Sequence, residues 1–327
     1  MAKLSVLDLV PICQGSNASQ ALANSLDLAQ KAESLGYNRF WVAEHHNNLN
    51  LASSATSVIL AHIAARTQSI RIGSGGVMLS NHSTLAIAEQ FGTLEALHPN
   101  RVDLGLGRAP GGDEATAAAL RHRRGTFQDD VAEVLHYFEP RSAGQAIQAI
   151  PGVGLRVPVW ILGSTTASAL LAAKLGLPYA YALHFASEHL DQAVALYRDK
   201  FAPSQYLDKP YVMVSLNVVA AETDHEAKFL FSSAQQAFIN KNLDKAAGIP
   251  LPVEGYEDKL SPEKRSLLDK RSSCALVGGP KTIELGLNAF LDRTGADELL
   301  IMNQIFDHAS RLQSYKILSN NIGYSNV

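Results

Sequence analysis

The sequence predicts a (β/α)8 barrel with an extended insertion between its seventh and eighth strands. Three observations predict it. Eight short apolar runs read as buried strands, the first four rich in β-branched or aromatic residues and bounded by Gly, Asn or Pro. Helical patterns lie between them, the alternation of an α/β fold built on a parallel sheet. From the second run onward, three successive runs begin about 32 residues apart, the length of one βα unit. An open doubly wound sheet shows the same alternation and is the competing architecture.

The runs are residues 4–9, 38–43, 70–76, 102–106, 158–162, 178–183, 211–220 and 297–302. The first helix is read from Leu22, Leu26, Ala29 and Ala32, which recur at helical spacing, and Gly36 stops it. The second, 53–66, is Ala-rich and opens with Ser53-Ser54 as a cap; the third, 83–98, stops before Pro99. Later helices are expected at 167–175, 188–200, 224–239 and 309–318. Two stretches exceed the repeat. Residues 108–158 hold a helix at 126–138 and a hairpin around 145–157. Residues 240–273 carry prolines, glycines and mixed charge, as lids and interface pieces do. Nothing resembles a linker, so residues 1–327 read as one domain.

Composition narrows the function. The chain of 327 residues carries 28 Lys+Arg against 31 Asp+Glu, a net charge of -3, with no long basic stripe, which disfavours a nucleic-acid partner. Charged residues make up only 18%, below the roughly 25% usual for soluble domains, so much of the chain is buried in itself or against a partner. Cys13 and Cys274 form no Cys-x-x-Cys pair, which argues against a disulfide framework or zinc ribbon and fits a reducing cytosol. Asp8 interrupts the apolar N-terminal run, so it is not read as a signal peptide, and no run reaches membrane-spanning length.

In a barrel the chemistry lies at the C-terminal strand ends. These carry Asp8 to Pro11, Glu44-His45-His46, Gly75-Gly76, Gly105 to Arg108, Leu162 to Thr166, His184 and Met302-Asn303. A histidine at Glu44-His45-His46 can exchange protons near neutral pH. Adjacent histidines point apart, so a metal site is not expected there. The plainer reading is one solvated and one structural histidine. Leu162-Gly163-Ser164-Thr165-Thr166-Ala167-Ser168 runs from a strand into a helix, where free N–H groups and hydroxyls favour an anion. Ordinary capping by Ser164 or Thr165 explains the same residues. Arg108 offers charge to that anion, or a surface ion pair. Gly105-Leu106-Gly107-Arg108 is neither a Walker loop nor a dinucleotide fingerprint. Its glycines, like Gly73, Gly75 and Gly76, are expected to leave room for something flat. Phe40, Trp41 and Trp160 read as core. Cys13 either borders the pocket or is a small buried hydrophobe.

Taken together, the motifs resemble one family. Phe40-Trp41-Val42-Ala43-Glu44-His45-His46, Arg101-Val102-Asp103-Leu104-Gly105-Leu106-Gly107-Arg108 and the run from Pro158 to Pro178 carry the likeness. So do Cys274-Ala275-Leu276-Val277-Gly278-Gly279-Pro280 and Asp297-Glu298-Leu299-Leu300. The chain resembles the bacterial luciferase-like flavin-dependent monooxygenases, in the branch of small luciferase-like oxidoreductases. The resemblance implies the (β/α)8 barrel and FMN rather than NAD. It implies that a separate flavin reductase supplies reduced FMN, that O2 reacts to a C4a-peroxyflavin, and that a small organic substrate is oxygenated. By position, Arg108, Thr165 and Ser168 hold the FMN phosphate. Glu44, Gly75, Gly76, Gly163 and Ser164 also fall at the cofactor, with a cis peptide at Gly75-Gly76, and His45 falls on the catalytic histidine. No metal is implied. A homodimer packed through helices 53–66 and 83–98 is implied, in the cytoplasm.

The chain departs from the pattern at Gly107, where luciferases have a reactive cysteine. Arg121, Arg123 and Arg124 all lie near the place of a second phosphate arginine. Residues 240–273 do not match the luciferase lid, so neither substrate nor light emission follows. F420-dependent hydride transfer and a non-catalytic luciferase-like subunit are the competing functions.

Overall fold

The computed structural model describes residues 2–121, 125–183, 188–240, 248–272 and 274–321. The chain begins with β1 (Lys3–Asp8), α1 (Ala18–Ser34), β2 (Arg39–Val42), α2 (Thr56–Ala64), β3 (Arg71–Met78) and α3 (Thr84–Leu97). It continues with β4 (Val102–Gly107), α4 (Glu114–Ala119), α5 (Phe127–Phe138), β5 (Val159–Gly163), α6 (Thr166–Leu175), β6 (Tyr179–Tyr181) and α7 (Leu190–Lys200). It ends with β7 (Val212–Ala220), α8 (Asp224–Ile239), α9 (Pro262–Ser272), β8 (Leu276–Gly278), α10 (Pro280–Thr294), β9 (Glu298–Met302) and α11 (His308–Asn321).

Every strand pairing is parallel. β1 to β6 pair in sequence, β6 pairs β7, β7 pairs β9, and β9 pairs β1, which closes an eight-stranded barrel. Closure excludes the open doubly wound sheet and leaves no free edge within the barrel. The eight expected runs are its eight strands.

Local chemistry explains the elements. Asn17 caps α1 by accepting from Gln20 N at 3.0 Å. Gly176 ends α6 with φ 61°, and a Cβ there would stand 2.5 Å from Ala202 O, so glycine is required. Alternation along the strands divides the core in two. Outward residues such as Val6, Phe40, Ile72 and Val214 pack under the helices. Inward residues Leu7, Trp41, Trp160, Met213 and Leu300 fill the barrel, where Trp41 and Trp160 meet edge to face at 5.3 Å.

Below them lies a polar floor at the N-terminal strand ends. Arg39 reaches Asp103 at 2.6 Å and Glu298 at 3.1 Å, and Arg71 reaches Asp103 at 2.6 Å. Glu298 also accepts from Ser5, from Asn38 Nδ2 at 2.9 Å and from the Tyr211 hydroxyl at 2.8 Å. Burial works against the Arg39 charge, but Asp103 and Glu298 more than offset it and raise its pKa.

Three features differ from the expectations. The segment around 145–157 forms turns rather than a hairpin; it is pinned where Gly152 meets Ala88 and Gly92 of α3. β8 is an additional three-residue strand, outside the barrel, on the last residues of β7 (Val218 to Ala220). α4, α9 and α10 are additional helices. Within the insertion, Ile249 bridges Cys13 and is buried; residues 241–247 and Ser273 lie outside the described residues.

Candidate functional site

The C-terminal rim of the barrel gathers the expected residues on four neighbouring strands. Glu44, His45 and His46 follow β2, which pairs β3, which pairs β4, which pairs β5. β4 leads directly to Arg108, and β5 ends at Gly163, just before Ser164 and Thr165.

Glu44 is the hub of the rim. Its side chain is 2% exposed. Its carboxylate accepts from His46 Nε2 at 2.9 Å, His82 Nε2 at 2.9 Å, Asn81 Nδ2 at 3.2 Å and the Met78 amide at 3.0 Å. Burial alone pushes its pKa up. The hydrogen bond and charge of His82, then His46 and Met78, outweigh burial and hold it below the ordinary carboxylate range. Asn81 also donates to Pro110 O at 2.9 Å, and His46 N donates to Gly111 O at 2.9 Å. The carboxylate therefore ties the loops after β2 and β3 to the loop that carries Arg108.

His45 turns the other way. Its Nδ1 stands 2.7 Å from the Glu44 carbonyl, and a carbonyl only accepts, so Nδ1 carries the proton. Nε2 is then the basic nitrogen of the neutral ring. The ring is partly exposed, with its backbone held by His45 N to Ser53 O at 3.0 Å. The two adjacent histidines thus divide: His46 is structural, and His45 has the fixed tautomer a proton-transfer group needs.

Arg108 is exposed and makes no hydrogen bond or ion pair among the described residues. Beside it, Thr165 caps α6. Its hydroxyl accepts from Ser168 N at 3.3 Å and the Ser168 hydroxyl accepts from Thr165 N at 3.3 Å, a capping box. Two phenols brace this turn from β6: Tyr179 OH lies 3.0 Å from Ser168 Oγ, and Tyr181 OH donates to Ser164 O at 3.2 Å. The amides of Thr166 and Ala167 have no partner among the described residues. The hydroxyls therefore satisfy the amides of Thr165 and Ser168 and leave those of Thr166 and Ala167 open at the start of the helix.

Gly75 and Gly76 sit where β3 shifts register against β4, and the peptide between them is cis. In the direction a side chain would take, these glycines are close-packed. A Cβ on Gly76 would stand 2.8 Å from Gly105 O, and one on Gly105 would overlap Ser74 O. The glycines let β3 and β4 approach each other; only their backbones face the rim.

Other expected groups lie elsewhere. Asp8 and Asn303 both bind the buried Arg311 of α11, at 2.8 and 3.1 Å, and so anchor a helix. Cys13 donates to Phe306 O at 3.2 Å and lines a shallow cleft with Pro11, Gln14, Asn24 and Asp307, whose lining includes none of Glu44, His45, Arg108, Thr165 and Ser168. Burial raises its pKa against the opposing charge of Arg311. Arg121 follows α4, whereas Arg123, Arg124 and His184 lie outside the described residues. Sequence reasoning missed His82 and Asn81; their place just past β3 was the signal.

Residues 3–298 match the family model for luciferase-like monooxygenases. A luciferase-like monooxygenase of Escherichia coli (strain K12) is 48% identical over 317 residues, 96% of this chain and 95% of that protein. The N-acetyl-S-alkylcysteine monooxygenase of Bacillus subtilis (strain 168) is 32% identical over 331 residues, 98% of each. The crystal structure of apo-MsnO8 is 34% identical, covers 98% of both chains and has a TM-score of 0.87.

Proposed function

Since this chain belongs to the luciferase-like monooxygenase family, we propose that it is an FMN-dependent monooxygenase that uses O2 to oxygenate a small organic substrate. The observation that carries the FMN reading is the placement of Arg108, a cation without a partner among the described residues, one strand away from the two open amides that start α6 after β5. A phosphate monoester fits that donor set: a guanidinium, two amides and the Thr165 and Ser168 hydroxyls. The rim residues Glu44, Gly163 and Ser164 shape the same site, and the Gly75-Gly76 backbone borders it. Bound and reduced, FMN supplies the electrons that activate O2.

The protein's own part is orientation, dryness and a proton. Glu44, locked by four donors, keeps the Arg108 loop in place. Leu9, Ala43 and Met302 line the inner wall near the rim and exclude water. His45 exchanges a proton at Nε2, with Nδ1 held by the Glu44 carbonyl. The dinucleotide fingerprint is missing at β4, which supports a separate flavin reductase as the source of reduced FMN. The Bacillus relative acts on an N-acetyl-S-alkylcysteine, which supports a compact organic substrate here. A homodimer through α2 and α3 is supported by Val58, an apolar side chain left exposed on α2; sedimentation of the Val58→Asp variant as a monomer, against a dimeric parent, checks it. A cytoplasmic location is supported by Cys13 and Cys274, which form no disulfide.

The test is an anaerobic titration of photoreduced FMN followed by O2. The expected result is tight binding of reduced FMN and a slow phase of reoxidation, absent from free flavin. Reoxidation at the protein-free rate, despite demonstrated binding, would overturn the oxygenase reading and favour hydride transfer on the same barrel.

A further inference from the structure

Along β7, alternate residues share a face. Met213 points into the barrel beside Trp41 and Trp160, so Ser215 and Asn217 follow it on the inner face toward the rim. The intervening Val212, Val214, Leu216 and Val218 pack outward under the helices. Ser215 is engaged, accepting from Leu183 N at 3.0 Å. Asn217 is not. Its Oδ1 is buried and accepts no hydrogen bond, and its amide nitrogen has no acceptor among the described residues.

The neighbouring side chains are mostly apolar. Asn217 stands beside Met302 across the β7–β9 register. The other inner side chains near the rim include Leu9, Ala43 and Leu162, all apolar. A buried acceptor without a donor is costly, and nothing in the packing of β7 calls for a carboxamide there. A polar group set in a mostly apolar wall is one way proteins fix the orientation of a ligand. Both ends of the carboxamide are open, so its complement is a planar edge with a donor and an acceptor side by side. The pyrimidine ring of a flavin has such an edge in its ring N–H and adjoining C=O. β7 lies across the barrel from β3, so this edge and the Gly75-Gly76 backbone meet opposite walls of one mouth.

We propose that Asn217 is the residue that orients the flavin, pairing its carboxamide with the N–H/C=O edge of the pyrimidine ring. The proposal rests on the flavin reading above but not on the phosphate contacts, because this edge is remote from the ribityl phosphate. A deazaflavin presents the same edge, so the pairing does not depend on which flavin-type carrier binds. Either flip of the amide satisfies it.

The test compares FMN with N3-methyl-FMN, which lacks the ring N–H donor, by fluorescence titration of the wild-type chain, Asn217→Leu and Asn217→Asp. The wild type is expected to prefer FMN about tenfold, the worth of one buried hydrogen bond. Asn217→Leu should bind FMN about tenfold more weakly and lose the discrimination. Its fold should be intact by circular dichroism, since the change removes an unpaired polar group from an apolar wall. Asn217→Asp, which keeps the acceptor, should retain part of the preference. The flavin carbonyl stretches, read by Raman scattering, should shift between wild type and Asn217→Leu. If Asn217→Leu binds FMN like the wild type, with the same preference over N3-methyl-FMN, the pairing is wrong. If only an amide-bearing substrate analogue loses affinity, the carboxamide serves the substrate and the proposal fails. If the wild type binds neither flavin, the flavin reading itself is overturned and takes this pairing with it.

Discussion

Replacing Glu44 by Gln asks how much of the rim depends on one carboxylate. The side chain keeps its size and loses its charge. Three donors, His46, His82 and Asn81, converge on Oε1, and the Met78 amide on Oε2. In the best flip the glutamine carbonyl keeps the three and turns an NH2 against the Met78 N–H. That leaves a buried donor unsatisfied, about 1–3 kcal/mol, and weakens three bonds to a charged acceptor. Together these place the loss at about 3–5 kcal/mol, the range for removing one partner of a buried charged pair. Equilibrium urea denaturation reads this as a lower midpoint with an unchanged slope. The pH dependence has a definite sign. The folded-state pKa of Glu44 is depressed, so its stabilisation is complete above the unfolded value of about 4.3 and is lost as pH falls through the folded value. The gap between parent and variant should be full at pH 7 and close in acid. A loss below about 1 kcal/mol at pH 7, or a gap independent of pH, would refute the hub.

Three further substitutions probe other layers. His45→Ala should bind FMN as the parent does and lose about 10²–10⁴-fold in turnover; weakened FMN binding at undiminished turnover would reverse the assignment. Arg108→Ala should weaken FMN about 10–100-fold in a fluorescence titration and leave riboflavin, which has no phosphate, unchanged. Arg39→Met removes the cation between Asp103 and Glu298 and leaves two buried carboxylates, so calorimetry should show a loss of about 3–5 kcal/mol at neutral pH; a neutral result would mean that the floor rearranges.

The barrel was legible because its signals are local. Each strand is a short apolar run, several of them bounded by Gly, Asn or Pro, and each run needs only its own residues to be recognised. β8 was not, because two of its three residues, Leu276 and Val277, are only partly covered and the strand has meaning only where it adds to β7. α10 carries plain marks of its ends in the sequence: Pro280 at its first turn and Gly295 just past its end. The supposed hairpin of 145–157 failed because its contacts are with α3, far away in sequence. At the candidate site, Arg108, Thr165 and His45 could be singled out because strand ends are legible in the sequence. His82 was not, because its role exists only once β3 lies beside β2 and its loop reaches Glu44. Asn217 was hidden inside a run read as uniformly apolar; the carboxamide itself was the signal.

Glu298 belongs to the last strand of the barrel, yet Ser5, Asn38, Arg39 and Tyr211 all donate to it. During synthesis these donors emerge long before their acceptor. Until β9 arrives, β1 and β7 each show an unpaired edge, and Arg39 has only Asp103 for a counter-charge. The nascent chain is therefore exposed to edge-to-edge association for most of its translation. A single late strand then closes the hydrogen-bond ladder and neutralises the floor in one step. Chains that stop short of residue 298 should accumulate on chaperones or in inclusion bodies rather than as partial barrels.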